Sequence, residues 1–123
     1  MNTVNLAHAI SLIQDAWTPH SIGSVNDVEL KLARLEGDFV WHSHPDTDEL
    51  FLVLEGTLTM GLRDGDRHLS AGELLVVPRG TEHQPRSPGG CAVLLVEARG
   101  TLNTGDAPEG PLTVRQVPTL DGQ

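Results

Sequence analysis

The chain has 123 residues and a mass of 13.2 kDa, the size of one domain with one modest core. Eight basic residues against seventeen acidic ones leave a net charge of −9, which argues against nucleic acids and anionic membrane surfaces as partners. No apolar run approaches the length of a spanning helix.

Leu6, Ala9, Ile10, Ile13 and Trp17 recur at three- and four-residue steps and so share one face of a helix. Asn5 is its expected N-cap and Thr18-Pro19 its stop, which predicts an amphipathic lid over about residues 5–17. From Asn26 onward the pattern changes to short β-type runs. These are Val28–Leu35, Phe39–His44, Glu49–Leu54, Thr57–Arg63, Arg67–Leu69, Leu74–Val77, Ala92–Ala98 and Thr113–Val117. Between them stand turn signals such as Glu36-Gly37-Asp38, Glu55-Gly56, Asp64-Gly65-Asp66 and Pro88-Gly89-Gly90. Short strands at close spacing predict an all-β sandwich or barrel over about residues 26–117, with Asn103–Gly110 as a loop. Leu50–Leu54 is apolar on both parities, so both faces of that strand are expected to be covered. The single Cys91 cannot form an internal disulfide and fits a reducing cytoplasm. No basic segment precedes an apolar stretch near the start, so no secretory signal is expected.

Histidine placement carries the chemistry. On a strand, residues two apart project from the same face, so His42 and His44 point one way together with Val40. Glu49 follows a Pro45–Asp48 loop that can return the chain antiparallel, and His83 follows the compact turn Pro78-Arg79-Gly80-Thr81-Glu82. Three imidazoles and one carboxylate suit Mn, Fe, Co, Ni or Zn, and leave open positions if the ion is octahedral. A His-x-His pair alone is more often an exposed or hydrogen-bonded pair than a metal site, and Glu49 beside Asp46 and Asp48 also fits a solvated acidic loop. The glycine and proline framework separates the readings. It runs Gly37-x4-His42-x-His44-x4-Glu49-x6-Gly56, then Gly72-x5-Pro78-x-Gly80-x2-His83. At average usage, its four Gly and one Pro coincide by chance with a probability on the order of 10⁻⁶.

With these residues the chain resembles the cupin superfamily, in its small single-domain bacterial form. The first cupin motif is recognisable in Gly37 to Gly56 and the second in Gly72 to Pro85, with fifteen residues between the motifs. The resemblance extends outward through Val25–Gly37 and Gly100–Asp106 and covers about Leu6 to Val117. Two departures stand out. The Gly37–His42 gap is one residue shorter than the family pattern, and Ser87 stands where Asn often follows the second-motif histidine. The Ser87 change puts a turn-stabilising contact in doubt but removes no ligand.

The resemblance implies a double-stranded β-helix (a jelly-roll barrel) with a short N-terminal helix, a single domain over residues 1–123, and one divalent transition metal. Its ligands would be His42, His44, Glu49 and His83. Cupin chemistry is diverse, and fold membership does not choose within it. If His42 and Glu49 face inward, so do Val40, Phe51 and Val53, with no second carboxylate or lysine on the same parity. Lys31, Arg34, Arg79 and Arg86 are expected on solvated faces or turns. An apolar pocket around an ion with open positions suits an enol, diketone or catechol-like chelating substrate. The expected activity is therefore a metal-dependent dioxygenase-type oxidation. The alternatives are a non-catalytic metal-containing module that binds a small ligand, and a sugar-type isomerase.

His8 and His68 are expected at the surface, Trp17 in packing, and Cys91 in the core or at an edge. If Glu49 points to the metal, Leu50, Leu52 and Leu54 point outward. A second subunit is expected to cover them in a two-fold homodimer, the alternative being cover by the N-terminal helix within one chain.

Overall fold

The computed structural model describes residues 1–122. Helix α1 (Leu6–Ser11) precedes strands β1 (His20–Val25), β2 (Val28–Asp38), β3 (Glu49–Leu62), β4 (Gly65–Ser70), β5 (Leu74–Val77) and β6 (His83–Ala98). The fold is all-β and antiparallel apart from α1. The strand order is β1-β2-β6-β3-β4, with β5 paired to β3.

β3 and β6 are the longest strands, and both curve. Their mutual register shifts between Val53 and Glu55 and again between Gly56 and Thr59. Such irregularities bend a strand and raise its twist. They let one strand serve two parts of the sheet, with Glu49–Leu52 pairing with β5 and Thr57–Leu62 with β4. Gly56 sits at the bend with φ +75, and a Cβ there would collide with the Gly90 carbonyl. Ser87, buried, donates from Oγ to the Thr57 carbonyl at 2.7 Å, a bond across the same bend. The residue that departs from the family pattern therefore makes a structural contact of its own.

Alternation sorts the side chains. Phe51, Val53, Leu58 and Met60 of β3 meet Val93 and Leu95 of β6 and Ala33 and Leu35 of β2 in the interior, closed by Trp17 and Phe39. A second apolar cluster lies on the outside, where Ile10 and Ile13 cover Leu32, Ala92, Leu54 and Leu94. The helix thus covers part of the outer leucine face. Leu74 and Val76 of β5 remain 57% and 49% exposed.

Four sequence expectations are corrected. The helix ends at Ser11 rather than near residue 17. Arg34 reaches up from β2 and donates to the carbonyls of Ile13 (2.8 Å) and Ile10 (3.0 Å), satisfying the helix end early. Ile13 and Trp17 still reach the core, Trp17 with a left-handed backbone (φ 65) and its amide bonded to the Arg34 carbonyl. Second, His20–Val25 forms a strand ahead of the β-type runs, which are expected only from Asn26 onward. Third, Thr113–Val117 is irregular, and the chain beyond it lies along β1 through bonds between Ser21 and both Pro118 and Leu120. Fourth, Phe39–His44 is not a strand, as described below. Among the described residues, no helix is long and apolar enough to cross a membrane.

Candidate metal centre

The segment carrying His42 and His44 makes one isolated bridge, between His42 and His83. Backbone bonds in both directions (3.1 and 2.9 Å) set these two residues side by side. The rest of the segment is held by side chains. Gln84 donates from Nε2 to the Phe39 carbonyl at 2.9 Å. Asp106 accepts from the Ser43 amide at 2.7 Å and from its hydroxyl at 2.8 Å, while its own amide returns a bond to the Ser43 carbonyl. Gly105, at φ +53, lies so close to that carbonyl that no Cβ would fit. The loop after β6 therefore clamps the residue between the two histidines.

Glu49 opens β3 and His83 opens β6, at opposite ends of the antiparallel β3–β6 ladder, where they face Glu97 and Leu62, and the curl of the two strands brings their side chains together. His42, His44, Glu49 and His83 are all buried, and each offers a ligand atom within 4.8 Å of the others. His44 Nε2 lies 3.3 Å and His83 Nε2 3.4 Å from Glu49 Oε1. None of these three atoms has a hydrogen-bond partner. Buried polar atoms left without partners are costly, and a cation between them would satisfy all three.

The ring tautomers favour the same use. His42 Nδ1 lies 2.9 Å from the Val40 carbonyl and His83 Nδ1 2.9 Å from the Thr81 carbonyl. A carbonyl only accepts, so each Nδ1 carries the proton and each Nε2 presents a bare lone pair. Burial, with the neighbouring His83, pushes His42 down to about 4, so its imidazole is neutral at neutral pH. For Glu49, burial opposes ionisation, but the adjoining His44 and His83 more than offset it and hold the carboxyl below its usual range. Neutral imidazoles and an ionised carboxylate are the forms that bind metal. The donor set fits a divalent transition ion and could hold one.

The interior holds two more charged groups, against expectation. Glu97 pairs with Glu49 on β3 and with Glu29 on β2, and it is buried. Lys31 is only 1% exposed, its Nζ 3.1 Å from Glu97 Oε1 and 3.6 Å from Glu29 Oε1. Burial and the charge of Glu49 push Glu97 up to about 9, against the pull of Lys31. Strand parity carried the signal: Glu97 shares a face with Val93 and Leu95, and Lys31 with Ala33 and Leu35. Arg79 and Arg86 pair outside the core with Asp48 and Asp66, while Arg34 is half-buried against α1.

A small cavity of about 40 Å³ opens beside the cluster, walled by Trp17, Phe39, Phe51 and Leu95, with His42, Glu49, Glu97 and Asn103 as its polar side chains. Trp17 stacks on Phe39 at 4.7 Å and donates from Nε1 to the Glu36 carbonyl at 2.8 Å. His8 and His68 are exposed, and Cys91 is a buried core thiol raised by its burial.

Comparison with known proteins decides the family. Residues 29–97 match the family model described as Cupin domain. The chain belongs to the cupin family. Its relatives include YdbB of Bacillus subtilis (strain 168), 40% identical over 84 residues, which cover 68% of this chain and 74% of that protein. A crystal structure of a cupin-2 domain containing protein from Shewanella frigidimarina superposes with a TM-score of 0.77 at 43% identity. That match covers 79% of this chain and 95% of the other. Auxin-binding protein ABP19a of Prunus persica is 31% identical over 102 residues, 76% of this chain and 47% of that protein. This cupin thus spans about half the length of its plant relative. The barrel is the double-stranded β-helix that the two motifs implied, with the motif histidines and glutamate gathered in one buried cluster.

Proposed function

We propose that this cupin is a metal-dependent oxidoreductase of dioxygenase type, acting on an enol, diketone or catechol-like molecule. His42, His44, Glu49 and His83 would hold one divalent Mn, Fe, Co, Ni or Zn ion. The observation that carries the reading is the convergence of three partnerless buried donor atoms on one another, beside a cavity walled by aromatic and aliphatic side chains.

A bound ion supplies Lewis acidity and, where it is redox-active, an electron path from substrate to dioxygen. The protein supplies binding and orientation. Val40 and Thr81 carbonyls fix the histidine rings, so the donor atoms need no rearrangement to bind. Trp17, Phe39 and Phe51 offer flat apolar walls that suit a planar substrate and exclude water from its oxygens. Sugar-type isomerisation is less well served, because Lys31 is committed to two glutamates and the walls carry few hydroxyl partners.

Oxygen consumption by the Fe(II)- and Mn(II)-loaded protein, screened across enols, diketones and catechols, tests the reading. The expected result is substrate-dependent uptake lost on His83→Ala. Tight binding of such a compound without uptake favours the rival, a non-catalytic module that captures a chelating ligand. The name of the plant auxin-binding relative supports that rival.

A further inference from the structure

We propose that Glu97, braced by Lys31, is a positioning residue that fixes the Glu49 carboxylate for metal binding. The inference rests on the metal reading above. Glu29, Glu97 and Glu49 stand in one row across β2, β6 and β3, each opposite the next in register. Glu97 lies in the middle, its Oε1 held 3.1 Å from Lys31 Nζ and its Oε2 without a hydrogen-bond partner. On its other side it adjoins Glu49, which turns Oε1 toward His44 and His83. The Glu97 head thus borders Glu49, opposite it in the ladder and in the wall of the same cavity, and limits its swing.

The arrangement is a costly way to build a barrel. A lysine and its carboxylate partners buried in a core contribute little stability, and apolar residues of similar volume often do better. Its place explains its presence. The carboxylates that orient metal ligands govern affinity without touching the metal, and losing one weakens binding by about 10- to 100-fold.

The test titrates Mn(II) into wild type and variants, following free and bound ion by electron paramagnetic resonance, with melting of the metal-free proteins in parallel. Glu97→Leu and the double variant Lys31→Met/Glu97→Leu should bind Mn(II) about 10- to 100-fold more weakly, with an altered bound-ion spectrum. The metal-free double variant should melt at or above wild type. Glu97→Gln, which keeps the shape and a polar head between Lys31 and Glu49, should restore affinity close to wild type. Unchanged Mn(II) affinity in Glu97→Leu, or a fall in melting temperature with no change in affinity, overturns the positioning role and leaves the metal reading standing. Failure of wild type itself to bind Mn(II) overturns both.

Discussion

Glu97 stands directly opposite Glu49 across the β6–β3 ladder, and both are buried. Two carboxylates so placed do not both ionise readily: Glu97 is pushed up to about 9 while Glu49 is held below its usual range, and Glu29 extends the row on the other side. Among the described residues, Lys31 is the one lysine or arginine paired with this row, through Glu29 and Glu97, while His44 and His83 adjoin Glu49. The interior is therefore short of positive charge at the point where three histidine and glutamate donor atoms lack partners. A divalent cation corrects both deficits at once.

The protein purified without a chelating tag should accordingly carry close to one equivalent of transition metal, and His44→Ala should carry far less. Elemental analysis of the two reads this directly. Because a ligand that binds only the native state stabilises it by about 2.7 kcal/mol at a hundredfold excess over Kd, EDTA should lower the melting temperature by roughly 10 °C. Equal metal content in both proteins would falsify the site.

The metal-free protein should also lose stability in mild acid through His42. Its folded pKa, about 4, lies below the ordinary 6.5 because burial and His83 disfavour the imidazolium. Between those values the unfolded chain takes up a proton that the native state refuses. The native state is thus least burdened above pH 6.5, and stability declines as pH falls toward 4. The ceiling is about 3 kcal/mol for such a shift. Urea unfolding in EDTA at pH 7 and pH 4.5 should show a larger acid loss for wild type than for His42→Gln. Equal losses would show that His42 titrates normally.

Much of this site was legible before the fold was seen, for a physical reason. Metal ligands and tight bends demand particular residue types at fixed offsets, so His42, His44, Glu49, His83 and Gly56 stand out. What sequence reasoning missed obeys looser rules. Glu97 and Lys31 alternate with apolar residues, but a charged residue at one inward position reads as a surface residue until its partner strand is known. Ile13 and Trp17 keep helical spacing beyond the helix end, whereas Arg34, distant in sequence, captures the helix carbonyls and redirects the chain. The parity of His42 and His44 suggests a strand that this segment does not form. Its position is instead set by Asp106, more than sixty residues along the chain.

That clamp yields a third prediction. The Asp106 carboxylate receives both the amide and the hydroxyl of Ser43, and those bonds hold it below the usual carboxylate range. Asp106→Ala removes them and frees the backbone between two ligand histidines. Metal affinity should fall about tenfold, with a stability loss of about 1 kcal/mol. Zinc competition against a chromophoric chelator and urea unfolding measure the two effects separately. Asp106→Asn, which retains one acceptor, should fall between. An affinity equal to wild type in the alanine variant would show that Gly105 and the ladder to His83 suffice.

The outer face of the sheet leads to the last prediction. Rows of apolar residues cross it: Val76, Leu50 and Val96 in one, Leu74, Leu52 and Leu94 in the next. Helix α1 shelters Leu54 and Leu94 at one side but leaves Leu74 and Val76 about half exposed. β5 pairs with β3 alone among the described strands, so this apolar strip ends at a sheet edge. A strip of this kind presented to water marks an interface. We infer a second copy of the chain as its occupant, joined about a two-fold axis so that each strip covers the other. Light scattering at micromolar concentration should give about twice the 13.2 kDa chain mass. The variant Leu74→Arg/Val76→Arg should scatter as a monomer and keep its metal, because neither residue reaches the interior. A wild-type mass equal to one chain would sink the dimer and leave the helix as the only cover for this face.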